Sequence, residues 1–306
     1  QEDFIKLCTT SDRSKPEWKP LVDMKYTLYM HCLRMECRYP DWVFRREEKE
    51  CREMYEYFAL SKYSSDIMEF HKGEIYDLSI MRFFPQVRDL YFEGNDVTSL
   101  EFVKYLPRLR ELHAQDNPIK SIEPLKGLDL VVLKAGNGSG TFDLSALSDM
   151  KNMRTLWLHG RINNISSIVG LNKLETLIFS TSGTGNIDIC PLNVLIKLDD
   201  LTMNNSNIFD ISCLDNFPEL RSLSLNNNRL ITVKDIANNF PELESLSIKG
   251  NPITDLSALT KLKKLRFVFV DTDKLVSCSP KNIEEIEAGK SCDNFWLRRL
   301  IDWFRF

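Results

Sequence analysis

No stretch of this 306-residue sequence approaches the ~18–20 consecutive apolar residues that a membrane helix needs, so no membrane span is expected. Charge of one sign is missing too. The 40 basic and 44 acidic side chains leave a formal charge of −4 and a pI near 5.7. That balance gives no general electrostatic reason to expect a nucleic-acid partner. Catalytic signatures are also absent: there is no GxSxG, no HExxH, no phosphate-binding Walker loop, and no GxGxxG between a strand and a helix. The sequence therefore predicts no enzyme and calls for no cofactor. The glycine-bearing stretches KAGNGSGTF (134–142) and STSGTGNID (180–188) read as loosened loops after strands, not as phosphate cradles.

Cysteine is present but sparse. Eight cysteines in 306 residues fall far short of a small disulfide scaffold. Their even number fits an exported chain with disulfides, and the alternative is eight reduced thiols in an intracellular one. The opening QEDFIKL lacks the basic start and apolar core of a secretory leader, so the expectation is an exported chain with its leader removed, or a trimmed one.

What the sequence does have is a repeat. From Val87 a single frame recurs: apolar, two free, apolar, one free, apolar, two free, then often Asn. It starts at Val87, Leu109, Leu130, Met153, Leu174, Leu198, Leu220, Leu243 and Leu265, at intervals of 21 to 24 residues. The apolar-x-apolar part alternates with period two, which predicts a short strand with Leu inward. Apolar residues then return every third position, as at Ile119, Ile122, Leu125 and Leu128, which predicts a 3₁₀-like back side. Asn95, Asn117, Asn228 and Asn251 stand where the chain turns inward, and a buried amide there can satisfy otherwise orphaned backbone groups. No coil of this kind buries its apolar side alone; stacking does.

The segments IKSIEPLKGL, ITDLSALTKL and IDICPLNVL give the pattern its character. It resembles the leucine-rich-repeat superfamily, and most of all its 22-residue internalin-like class, whose short repeat also occurs in intracellular phosphatase regulators. The resemblance covers roughly residues 85–275. It implies an α/β fold: a solenoid of nine coils with one curved parallel sheet. It also implies a protein-binding module, expected to be extracytoplasmic (secreted, periplasmic or at the cell surface) and to recognise a protein partner through its concave face. The alternatives are an intracellular scaffold or phosphatase-type enzyme regulator, and a surface adhesin whose anchor lies outside this chain.

The ends depart from the frame. Residues 1–84 read as a helical, cysteine-containing N-terminal cap, with helix-compatible stretches at 21–35 and after Asp41. Cys8, Cys32, Cys37 and Cys51 are expected to pair among themselves, by a connectivity that the sequence leaves open. A zinc site using them with His31 has poor ligand spacing, so no metal is expected. Residues 276–306 read as a C-terminal cap, with Cys278 bonded to Cys292 and an aromatic helix from Asp293. Cys190 and Cys213 sit in neighbouring coils, offset by one frame position, and their bonding is left open.

Alternation fixes which side chains point away from the core. The central outward column runs Tyr91, His113, Lys134, Trp157, Ile178, Thr202, Ser224, Ser247, Phe269. Outward bulk gathers at Tyr91, His113, Trp157, His159 and Ile178, which are the candidate partner-binding residues; Trp and Tyr are typical interface anchors. His113 and His159 lie two coils apart, about 10 Å by strand spacing, too far to pair as metal ligands or as acid and base.

Overall fold

The structure, a computed structural model, describes residues 66–70, 75–180, 188–215 and 217–271, together with Lys6 and the backbone of 285–287. The expected cap helices, Cys8, Cys32, Cys37, Cys51, the Cys278–Cys292 bond and the aromatic segment lie outside the described residues. The chain divides into two compact units, 1–153 and 154–306.

In the first unit, strands β1 (Ile67–Glu69), β2 (Asp89–Tyr91), β3 (Glu111–Gln115) and β4 (Val132–Asp143) pair in sequence order, all parallel. The second unit repeats the plan. Its strands are β5 (Thr155–Asn163), β6 (Thr176–Ser180), β7 (Asp200–Asn204), β8 (Ser222–Ser224), β9 (Ser245–Ser247), β10 (Phe267–Phe269) and β11 (Glu285–Glu287). From β5 to β11 each strand again pairs parallel with the next in sequence. All nine strands anticipated by the frame are present as β2–β10.

Two more strands, β1 and β11, extend the parallel pairing into the stretches 1–84 and 276–306. For β1 the apolar frame is intact: Met68, Phe70, Ile75 and Leu78 are all buried, as their counterparts Leu90, Phe92, Val97 and Leu100 are. In the sequence, however, Ser65 and Gly73 replace the opening Leu and the Asn, which hides the coil. For β11 the frame recurs as Ile283, Ile286 and Ala288 only 18 residues after Leu265, short of the usual interval.

The core is the inward side of each strand. Leu90, Leu112 and Leu133 occupy equivalent buried positions in the first unit, and Leu156, Leu177, Leu201, Leu223, Leu246 and Val268 in the second. Each such fully buried side chain contributes roughly 1.5–3 kcal/mol of transfer free energy, which only stacking supplies. Phe92 meets Phe102 edge-on with centroids 5.7 Å apart, closing one coil between strand and back side. That back side is built of 3₁₀ turns, including Glu101–Tyr105, Leu144–Leu147, Ile165–Ile168, Cys190–Val194 and Ser257–Lys261, as the three-residue return predicts. One coil uses a short α-helix instead, α1 (Lys234–Asn239).

The inward asparagines end the strands. The Asn228 side-chain oxygen accepts from the backbone N–H groups of Ser206 and Ile208, both at 3.0 Å, while its amide donates to the carbonyls of Met203 (2.8 Å) and Leu225 (2.9 Å). Asn117 and Asn251 repeat the device, accepting from Val97 and Leu230 at 3.0 Å. Each amide thus ties its own turn to the preceding coil and pairs backbone groups that burial would otherwise leave without a partner. Gly138 and Arg161 stand at the equivalent positions in the coils of β4 and β5. Without an amide to turn the chain inward, those strands run on to 12 and 9 residues. The glycine stretch of repeat three is therefore strand and not the expected loop. Its extended path presses Gly140 against the Ile119 carbonyl, where a Cβ would collide. Residues 181–187 of repeat five lie outside the described residues.

Cys190 and Cys213 are bonded to each other, with Cα atoms 5.4 Å apart, pinning two neighbouring back-side turns in the second unit.

Candidate functional site

Alternation places every candidate residue on the outward side of its strand. The burial pattern of β3 and β6 alternates strictly, and Tyr91, His113, Trp157, His159 and Ile178 all sit at the partly exposed positions. None is fully exposed, so Trp157 is less bare than the sequence alone implies. Tyr91 and His113 belong to the first unit; Trp157, His159 and Ile178 belong to the second.

In the first unit, register sets Tyr91 directly opposite His113. Their rings stack with centroids 4.3 Å apart and planes at 23°. Glu111 joins both: the Tyr91 hydroxyl donates to Oε2 at 3.3 Å, and His113 Nε2 lies 3.4 Å from the same oxygen. Burial lowers the His113 pKa; the Glu111 hydrogen bond opposes that shift and the Lys134 charge adds to it. Burial raises the Asp89 carboxyl, with Glu111 and Asp66 pushing the same way and Arg88 opposing. Tyr91 also rises, through burial and then the Glu111 and Asp89 charges. Glu111 is not among the candidates that outward bulk singles out. Its role follows from Tyr91 and His113 standing opposite each other, with Glu111 two residues before His113 on the same strand.

In the second unit, Trp157 pairs in register with Ile178, placing an indole beside an apolar side chain on one face. Beyond them the face becomes polar and satisfies itself. The Asn204 side-chain oxygen accepts from the Ser224 hydroxyl (2.9 Å) and the Asn226 N–H (2.7 Å). Asn226 repeats this with the Ser247 hydroxyl (2.8 Å) and the Lys249 N–H (2.7 Å). Asp200 is half-buried among them, and burial raises its pKa despite hydrogen bonds from Thr202 and Ser222.

No group of three or more His, Cys, Asp or Glu side chains able to hold a metal exists among the described residues. The described helices include none long and apolar enough to cross a membrane. The sequence reading missed one apolar feature: Phe209 and Ile231 are 62% and 70% exposed and occupy the same frame position in adjacent coils. The signal was present, since Thr98, Lys120 and Thr254 fill that position elsewhere.

No family model matches the chain, and no curated relative matches it. Solved structures do. The functional domain of InlJ from Listeria monocytogenes, described as including a cysteine ladder, is similar with a TM-score of 0.50 and 18% identity, over 72% of this chain and 53% of that one. The plant peptide hormone receptor RGFR1, in complex with RGF2, gives a TM-score of 0.52 and 18% identity, over 64% of this chain and 38% of that one. A TDR receptor gives a TM-score of 0.52 at 18% identity, over 67% and 38%. This chain thus spans about half or less of each of these structures. At such identities the likeness is one of fold, and the fold of this chain is a leucine-rich-repeat solenoid.

Proposed function

We propose that this chain is a protein-binding module, not an enzyme, and that it receives a protein partner on its outward sheet face, the concave side of such coils. One contrast carries the reading. The outward Asn and Ser groups of β7–β9 are spent on one another, whereas β5 and β6 present an indole and an isoleucine side by side. Large apolar groups beside a self-satisfied polar surface are what an interface anchor looks like. Tyr91 and His113 form a second outward aromatic pair. The plant receptor of similar fold is in complex with RGF2, which supports a peptide or protein as the ligand class. The Cys190–Cys213 bond supports an oxidising, extracytoplasmic setting over the intracellular scaffold, because disulfides persist there.

The test uses binders selected with the parent protein from a displayed random-peptide library. Trp157→Ala should melt like the parent, because the side chain points away from the leucine core. It should weaken the dominant binders at least about tenfold, or ~1.4 kcal/mol. Ser224→Ala, in the polar part of the same column, should change affinity far less. Equal and negligible effects would move the site off this face; unfolding of Trp157→Ala would show the residue to be structural.

A further inference from the structure

The residue after each frame start forms a column along the amino-terminal edge of the strands: Arg88, Arg110 and Val131, then Arg154, Glu175, Asp199, Arg221, Glu244 and Arg266. Neighbouring members are close. The Arg110 N–H donates to the Arg88 carbonyl at 2.6 Å, and that of Arg221 to the Asp199 carbonyl at 2.9 Å. In the second unit the column compensates its charges. Arg154 pairs with Glu175, and Arg221 lies 3.6 Å from Asp199 and 3.8 Å from Glu244. Charge-paired neighbours are the favourable arrangement on adjacent strands, and like charges opposite one another are destabilising.

The first unit breaks the pattern. Arg88 and Arg110 are adjacent like charges, and Arg108 adds a third. All three line an open cleft of about 470 Å³ with Pro107, Leu109 and Asp129. Asp129 is committed to Arg110: the guanidinium donates to its carboxylate and, at 2.7 Å, to its backbone carbonyl. The Asn152 amide donates to the same carboxylate at 2.8 Å and, with Arg110, lowers its pKa. Among the described residues, no carboxylate lies within ion-pair distance of Arg88 or Arg108. Among the described residues the cleft therefore holds one ion-paired arginine, fixed in place, and two that form no ion pair, Arg88 acting on the Asp89 charge only from beyond pairing distance.

We propose that this cleft is an oxyanion site, taking a phosphate or sulfate group on Arg88 and Arg108, with Arg110 anchored at its side by Asp129. Guanidinium pairs recognise such groups through paired N–H···O bonds, which a point charge does not reproduce. The site is separate from the outward aromatic face and does not rest on the partner-binding reading.

The test titrates the parent protein with inorganic phosphate and with sulfate at constant ionic strength, following the arginine Nε–H resonances by NMR. Saturable shifts at Arg88 and Arg108, with none at the ion-paired Arg221, are expected. Arg88→Gln combined with Arg108→Gln should weaken the anion at least tenfold while melting like the parent, because both side chains are exposed. Arg221→Gln should bind as the parent does. A second arm separates the sources of the group by co-sedimentation with phosphatidylcholine vesicles, with and without phosphatidic acid. Saturation by the free ions identifies a soluble ligand. Retention by phosphatidic-acid vesicles alone, lost in the double variant, identifies a headgroup. Linear shifts shared by Arg221, unchanged affinity in the double variant, or no binding in either arm would overturn the proposal.

Discussion

The disulfide between Cys190 and Cys213 joins two coils at the first turn of their back sides, 23 residues apart in sequence. The stacking of successive coils brings the two cysteines together although they are offset by one frame position: their Cα atoms lie 5.4 Å apart. Closing a loop of this length removes entropy from the unfolded chain worth about 3 kcal/mol. Cys190→Ser with Cys213→Ser should therefore lower stability by up to that amount while leaving the fold intact. Urea unfolding beside a free-thiol count checks this; unchanged stability would mean that the bond constrains nothing the stacked coils do not already hold.

Asn228 should be far less replaceable than Asn226, although both donate and accept hydrogen bonds. Asn228→Ala strands the Ser206 and Ile208 N–H groups and removes the Asn228 bond to the Met203 carbonyl in a buried turn, at about 1–3 kcal/mol for each group that finds no water, while the Leu225 carbonyl still accepts from Asn251. A loss of about 3 kcal/mol or more is expected in denaturant unfolding. Asn226→Ala, on the partly exposed outward face, should cost roughly 1 kcal/mol, because water replaces its partners. A comparable loss for both would show that the inward amides do not close the coils.

Stability should fall as the solution is acidified through the histidine range. The folded protein holds the His113 pKa below its ordinary value of 6.5, so the unfolded chain takes up the proton first. The stability that this residue contributes is complete above about pH 6.5 and is lost as the pH falls towards its folded value. Melting from pH 8 to pH 5.5 should show the decline, and His113→Gln should flatten it. An unchanged slope in the variant would assign the decline to other groups.

The opposite sign applies to Asp200. Its folded pKa is raised by burial, so keeping it ionised at neutral pH works against the fold. That penalty disappears as the pH falls through the raised value towards the ordinary carboxyl range. Asp200→Asn should raise the melting temperature at pH 7, and the gain over the parent should shrink under acid. A lowered melting temperature at pH 7 would show that the hydrogen bonds from Thr202 and Ser222 outweigh the buried charge.

Gly140→Ala should destabilise through sterics alone, since a Cβ there meets the Ile119 carbonyl and the Phe142 ring. Because backbone rather than a flexible side chain must yield, a loss of about 1–3 kcal/mol is expected by thermal unfolding. Neutral behaviour would mean that the run-on part of β4 shifts freely.

The sequence by itself determined the parallel strands β2–β10, the inward leucines, the 3₁₀ back side and the asparagine turns. Each follows from a local period or from a polar group that burial obliges to find a partner, and both are written in residue order. It also fixed which side chains face outward, because alternation leaves no choice once Leu is inside. Tertiary structure alone decided the rest. Strands β1 and β11 were hidden because Ser65 and Gly73, or a shortened interval, break the frame while its apolar positions survive in the sequence. The bond between Cys190 and Cys213, the capture of Tyr91 and His113 by one carboxylate, and the arginine cleft depend on distances between residues about 20 apart in sequence. Such distances are set by how one coil stacks on the next, and a repeat count does not contain them.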